Sequence, residues 1–232
     1  LIVRGELQHL LNPTLPEARL AVQALPKIPE LRLHLLALDS VGPLTHEQAA
    51  AVMESPPFWT LCWASGQALA RWLLDRPQIV RDRRVVDLGA GSGIVAIAAA
   101  MAGCRDVVAV DCDPHARRAA RANARLNGVS IQVRGTLPER EPDDLILVAD
   151  LLYDQANLAV MDELIGRYAH IVIAESRLNP LPLEGFVKLH EDELTTVPDV
   201  DEHDDFGKVA IYGVVDSSSS NAQRSIRRRA SA

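Results

Sequence analysis

Aromatic side chains are scarce in this chain. Trp, Tyr and Phe make up 4% of its 232 residues, so the core has to be built from aliphatic side chains. Cysteine is scarce as well. Cys62, Cys104 and Cys112 show no metal-ligand spacing and cannot all pair with one another. That excludes a disulfide framework and fits reduced thiols in an intracellular protein. No apolar run reaches the ~18 residues a bilayer span requires, so no membrane partner is expected. No signal peptide is visible. The first residue is Leu1, not Met, so the true start is expected to be missing or processed. The expected location is the cytoplasm, or the mitochondrial matrix if a transit segment has been removed. Positive charge is also in short supply: the formal net charge is −7. Four of the 24 basic residues, Arg224, Arg227, Arg228 and Arg229, crowd into the last nine positions, which leaves the body more acidic still. An acidic body is a poor non-specific binder of phosphate backbones and suits a basic partner segment better.

Glycine, by contrast, is concentrated where it has meaning. The run Val85-Val86-Asp87-Leu88-Gly89-Ala90-Gly91-Ser92-Gly93 sets a short apolar strand before three glycines at alternate positions. An alanine-rich helix is expected to follow over 94–102. Glycine lets the backbone turn tightly and come close to a ligand. The helix start adds unpaired N–H groups and a positive dipole end. Asp111 ends the next apolar run, 106–110, where a carboxylate can take both hydroxyls of a ribose. Together these residues describe a nucleoside-cofactor site on an open α/β sheet. The dinucleotide fingerprint wants G-x-G-x-x-G. Here Ile94 follows Gly93, and the third glycine comes one residue early.

The rest of the chain supports that architecture. Strands are expected at 84–88, 106–110, 130–134, 144–149 and 170–174, with helices at 93–102, 114–126 and 155–167. This alternation gives a parallel sheet with helices on both faces. After Pro180 the segments 186–191 and 208–214 read as two strands of an antiparallel hairpin. Residues 1–55 read as an N-terminal helical extension, with Thr45 and Gln48 in capping-box spacing. Pro56-Pro57 ends it, and a further helix is expected from Trp59 to Leu74. Residues 56–215 then form the main domain, and the Ser- and Arg-rich stretch 216–232 reads as a disordered tail. The acidic loop Asp199, Asp201, Glu202, His203, Asp204 and Asp205 fails the calcium-loop pattern, because its sixth position is Asp204 and not glycine. No metal site is expected.

The fourth strand ends in Ala149-Asp150, followed by Leu151-Leu152-Tyr153. Ligands of open α/β sheets bind beyond the carboxyl ends of the strands, so Asp150 and Tyr153 face the same crevice as Gly89 and Asp111. A strand-end aspartate can also simply cap the next helix, and spacing alone leaves both roles open.

Four stretches carry a family resemblance. The loop Asp87-x-Gly89-x-Gly91-x-Gly93 resembles motif I of the class I S-adenosylmethionine-dependent methyltransferases. Asp150-x-x-Tyr153 resembles the D-x-x-Y motif of the seven-strand protein lysine methyltransferases. Pro29-Glu30-Leu31-Arg32-Leu33-His34-Leu35-Leu36 and Pro57-Phe58-Trp59-Thr60-Leu61-Cys62-Trp63-Ala64-Ser65-Gly66-Gln67-Ala68-Leu69-Ala70-Arg71 resemble segments of the electron transfer flavoprotein β-subunit lysine methyltransferases. The resemblance covers roughly 29–155. It implies a Rossmann-like seven-stranded sheet with an antiparallel last strand and S-adenosyl-L-methionine as cofactor. It also implies a lysine acceptor on a protein, with the flavoprotein β subunit as first candidate. Asp150 and Tyr153 become the expected catalytic residues. Asp87, Gly89, Gly91, Gly93 and Asp111 are expected at the cofactor. Trp63 and Gln67, four residues apart, are expected to line it from one helix face. Thr136 stands where the superfamily often has an acid for the adenine amine. The chain departs from the family at Ala174-Glu175-Ser176-Arg177, where an acidic residue followed by Pro-Gly-Arg is more usual, and its ending 209–213 has no Trp. The rival functions are methylation of a small-molecule amine or another protein side chain, and a non-catalytic adaptor on the same fold. A nucleic-acid methyltransferase would show Asn-Pro-Pro-Tyr after the fourth strand and a more basic surface.

Overall fold

The computed structural model describes residues 2–141, 144–152, 155–178 and 180–214. The expected catalytic Tyr153 and the tail 216–232 lie outside the described residues. Nine strands and six α-helices are described: α1 (Ile2–Leu11), β1 (Arg19–Leu25), β2 (Ile28–Ala37), α2 (His46–Glu54), α3 (Ala64–Asp75), β3 (Arg84–Leu88), α4 (Ile94–Met101), β4 (Asp106–Val110), α5 (Pro114–Leu126), β5 (Gln132–Arg134), β6 (Leu145–Ala149), α6 (Gln155–Arg167), β7 (His170–Glu175), β8 (Phe186–Glu193) and β9 (Lys208–Val214). None of the described helices is long and apolar enough to cross a membrane.

Seven strands form one sheet in the order β5-β4-β3-β6-β7-β9-β8. β5, β4, β3, β6 and β7 are parallel, and β9 runs antiparallel to both β7 and β8. The expected Rossmann-like sheet with a reversed last strand is what the chain forms. The apolar runs of its central strands divide residue by residue, because successive side chains point to opposite faces. Val85, Val107, Ala109, Leu145 and Leu147 pack with α3 and α4. Val86, Val108, Val110, Ile146 and Val148 pack with Met161 and Leu164 of α6 on the other face. Each central strand is covered on both sides, as continuous Val, Ile and Leu runs require.

The N-terminal extension is not all helical. Between α1 and α2 the chain forms an antiparallel hairpin of β1 and β2. Leu31, Leu33 and Leu35 alternate inward at period two and are buried, while Arg32 between them is exposed. Period two fits a strand whose one face is covered. Among the described residues the hairpin has no third strand, and side-chain amides close its edges instead. On the β2 side, Asn127 accepts from the Arg32 N–H at 2.9 Å and donates to the Arg32 carbonyl at 2.6 Å. Asn123 accepts from the His34 N–H at 2.8 Å. On the β1 side, Gln8 donates to the Ala18 carbonyl and accepts from the Leu20 N–H. An open strand edge is a template for unwanted pairing, and these amides cover it. The capping box of α2 forms as expected: Gln48 N–H donates to Thr45 Oγ1 at 3.2 Å, and Thr45 N–H to Gln48 Oε1 at 2.9 Å.

The helix expected over 59–74 is also broken. A 3-10 turn spans Phe58–Thr60 and α3 starts only at Ala64. The cause is non-local. Cys62 N–H donates to the Val197 carbonyl at 2.7 Å and Val197 N–H returns a bond at 2.9 Å, which holds 62 extended.

Asn123 also donates from Nδ2 to the Ser92 carbonyl at 2.8 Å, so one buried side chain ties the hairpin to the glycine loop. Asn123→Ala leaves the buried His34 N–H and the Ser92 carbonyl without these partners. It should destabilise the fold by about 2–4 kcal/mol, with each orphaned polar group costing about 1–3. Urea denaturation measures this, and an unchanged midpoint would contradict it.

Candidate active site

β3 delivers the glycine loop to the centre of the sheet's carboxyl edge. The N–H groups of Gly89 and Ala90 donate to the Val110 carbonyl at 2.9 and 3.1 Å, which folds the loop over the end of β4. All three loop glycines have positive φ, and at two of them a Cβ would also crowd a neighbour. Gly89 has φ +76°, and a Cβ would stand 3.0 Å from Leu151 Cδ1. Gly93 has φ +83°, and a Cβ would stand 2.9 Å from both Cα and Cβ of Ala120 in α5. The first keeps the cleft floor open; the second lets α5 close against the loop.

Asp111 organises the rim. Its Oδ2 accepts from the Gly91 N–H at 2.8 Å and its Oδ1 from the Asp113 N–H at 2.9 Å. A carboxylate has about four acceptor positions, so about two remain for the hydroxyls of a ligand. Burial raises its pKa, and the two N–H groups oppose the rise. Asp113 in turn caps α5, accepting from the His115 N–H at 2.7 Å.

A cleft of about 1160 Å³ opens along this edge. Of the expected site residues, Gly89, Gly91, Asp111, Thr136, Trp63 and Asp150 line it. Three others do not. Gly93 is the junction with α5. Asp87 lies beneath the loop at 2% exposure, and its Oδ2 accepts from the Ala96 N–H in the first turn of α4 at 3.0 Å. Gln67 is 1% exposed, and its Nε2 donates to the carbonyls of Cys62 at 3.0 Å and Thr195 at 2.8 Å. The expectation that Trp63 and Gln67 share a lining face is therefore corrected. Trp63 precedes α3 as its N-cap, while Gln67 points inward and pins the β8–β9 connection. Among the described residues no group of three or more His, Cys, Asp or Glu side chains is placed to hold a metal ion.

Asp150 lines the cleft on the other side of the glycine loop from Asp111, past β6, with φ +44°. Its N–H donates to the Ala174 carbonyl at 3.1 Å. Its Oδ1 accepts from Ser176 Oγ at 2.8 Å and from the Ser176 N–H at 3.3 Å. Its described carboxylate contacts run across to β7, not forward to the next helix. Behind it lies a residue that spacing alone did not single out. Glu175 is 0% exposed, and its carboxyl is pushed up to about 7, first by burial and then by the charge of Asp150. The N–H groups of Arg177, Leu152 and Ser176 oppose that rise. The available signal was the departure at 175–177. Where the family more often has proline, Ser176 supplies both an N–H and a hydroxyl to Asp150.

With this geometry in place, the relatives of the chain can be compared with it. The model of the ribosomal protein L11 methyltransferase family (PrmA) matches residues 69–176, the stretch from α3 to the end of β7. The electron transfer flavoprotein β subunit lysine methyltransferase of Rattus norvegicus is 40% identical over 131 residues, covering 55% of this chain and 51% of the relative. That of Xenopus laevis is 41% identical over 133 residues, covering 56% and 53%. The ribosomal protein L11 methyltransferase of Photobacterium profundum is 31% identical over 146 residues, covering 60% and 43%. The chain has a Rossmann-like seven-stranded sheet, and the matched stretch is similar to these methyltransferases. It spans about half the length of the relatives it matches.

Asp87 gives this fold a pH signature. Burial, and to a lesser degree Asp111, push its carboxyl up to about 7, against 3.8 for an ordinary aspartate. The folded state thus holds this proton more tightly than the unfolded chain. The contribution is fully present below about pH 4 and is lost as pH rises through about 7. Asp87→Asn keeps an acceptor for the Ala96 N–H and removes the titration. Denaturation at about pH 5 and about pH 8 should show the variant gaining on the wild type at the higher pH. A pH-independent difference would contradict the assignment.

Proposed function

We propose that the cleft binds S-adenosyl-L-methionine and that the chain transfers its methyl group to a lysine side chain of a protein. The observation that carries this is the placement of Asp111 and Asp150 in one cleft, on either side of the glycine loop that follows β3. The residues fit the cofactor: Gly89 leaves its floor clear, Asp111 keeps acceptor positions for a ribose, and Trp63 and Thr136 flank the space. Bound there, the sulfonium supplies an activated methyl group. The residues around it align the donor with the acceptor nitrogen. A lysine amine has a pKa of about 10.4, so it must lose a proton before it can attack. Asp150 accepts a hydrogen bond from that amine, aims it, and faces the positive charge that grows on nitrogen. Tyr153, three residues on, is proposed to hold the same group.

Several relatives are named for the electron transfer flavoprotein β subunit, which makes that subunit the first acceptor to test. The L11 methyltransferase similarity makes a ribosomal protein the second. A net charge of −7 favours a basic protein segment over a nucleic acid. The location proposed is the cytoplasm, or the mitochondrial matrix if a transit segment has been removed.

Asp111→Ala should weaken S-adenosylmethionine binding by about 1.5–3 kcal/mol, the contribution of a charge-assisted hydrogen bond, as read by calorimetry. The acceptor is tested by incubating the chain and cofactor with each candidate protein and mapping methylation by mass spectrometry. A methyl group on lysine supports the proposal. Methylation of free small amines with no protein lysine modified would move the function to a small-molecule acceptor.

A further inference from the structure

The acceptor end of the cleft has a second carboxylate behind the first. Glu175 closes β7, and its Oε1 accepts from the N–H groups of Ser176 at 3.1 Å and Arg177 at 3.0 Å. Its Oε2 has no well-formed hydrogen bond among the described residues. The Leu152 N–H stands near this carboxylate without a bond of good geometry, and a buried carboxylate oxygen held so loosely is costly. The register of β6 against β7 pairs Ala149 with Ala174, which brings Asp150 and Glu175 side by side at the strand ends. Ser176 then fastens Asp150 from the same turn. The two carboxylates repel one another, and after burial it is the charge of Asp150 that disfavours ionisation of Glu175.

A cation stands nearby in sequence, yet it is committed elsewhere. Arg177 Nη2 donates to Glu202 Oε1 at 2.9 Å, and its guanidinium lies 4.1 Å from the centre of the Phe206 ring. Thr196 Oγ1 donates to the other Glu202 oxygen. These partners belong to the β8–β9 connection, which is itself pinned by Gln67 and Cys62. The fold therefore draws Arg177 aside and leaves the acidic pair for a positive charge from outside.

We propose that Glu175 is a positioning residue for a cationic acceptor: held with Ser176 behind Asp150, it supplies the second negative charge that draws an amine to the end of the cleft. This rests on the proposed amine methylation. Asp150 touches the amine, and Glu175 acts through it. An ammonium group beside Asp150 offsets the repulsion between the two carboxylates, so acceptor binding is the step that depends most on Glu175. Ser176 fixes the direction of Asp150, so the transfer step depends most on Ser176. A neutral hydroxyl or thiol acceptor gains nothing from the second charge, so the pair selects amines.

The test uses the full chain, S-adenosylmethionine and the acceptor that the wild type methylates. Glu175→Gln keeps the shape and the Oε1 contacts and removes the charge. It should raise KM for the amine about tenfold or more, with kcat less affected and cofactor affinity unchanged. Ser176→Ala should lower kcat about tenfold with KM little changed, and Ser176→Thr, which retains the hydroxyl, should restore most of it. Wild-type KM and kcat in Glu175→Gln would overturn the inference. Should that variant fail to fold, equal kcat in Ser176→Ala and wild type would overturn it instead. An amine-methylating wild type matched by its variants sinks this inference alone. A wild type that methylates only neutral acceptors would sink the proposed function together with it.

Discussion

The contact between Gly93 and Ala120 is the constraint on which the cofactor side of the molecule depends. No side chain fits between them, since a Cβ at Gly93 would lie 2.9 Å from the Ala120 backbone. The glycine loop and α5 therefore meet almost backbone to backbone. From that seat α5 presents Ala116 to the cleft, Asn123 to both Ser92 and His34, and Asn127 to Arg32. The loop, the cleft wall and the N-terminal hairpin are thus referred to one helix. A hairpin that is remote in sequence becomes part of the support of the site.

A second theme is the arrangement of negative charge. Asp87 is buried under the loop and Asp111 sits on its rim. Asp150 and Glu175 lie on the other side of the loop. The first is held by a helix N-terminus, the second by two loop N–H groups, and the third by Ser176. Among the described residues, Glu175 has a buried oxygen, Oε2, with no well-formed hydrogen bond. The ligands proposed here, a sulfonium cofactor and an amine, are both cationic. Asp111 and Asp150 line the cleft itself, and fixed carboxylates at a partly buried site attract such ligands more strongly than in bulk water.

The sheet was legible because its central strands are short Val-, Ile- and Leu-rich runs broken by glycine or aspartate, and their two buried faces account for every residue from 145 to 148. The rim was legible for a related reason: loop and acid lie on adjacent strands joined by one helix. The hairpin at 19–37 was not. The alternation of Leu31, Leu33 and Leu35 is overlaid by Leu36 and interrupted by Pro29, and its edge partners, Asn123 and Asn127, lie far along the chain. Gln67 was misplaced because the extended conformation at Cys62 is imposed by Val197, again a distant residue. Asp87 was grouped with the ligand contacts, whereas the fold uses it to hold α4 from below. Glu175 and Ser176 were visible as a departure from a pattern, but their role emerges only from the register of β6 against β7.

The central claim is that the loop at Gly89 and Gly91, with Asp111 and Thr136, forms an S-adenosylmethionine site. Its most direct test is a titration of the isotopically labelled chain with S-adenosylhomocysteine, followed through backbone amide resonances. The account predicts saturable shifts at Gly89, Gly91, Asp111 and Thr136, and none of that kind with NAD. Saturable binding of NAD at the same amides, or no response to S-adenosylhomocysteine, would contradict it.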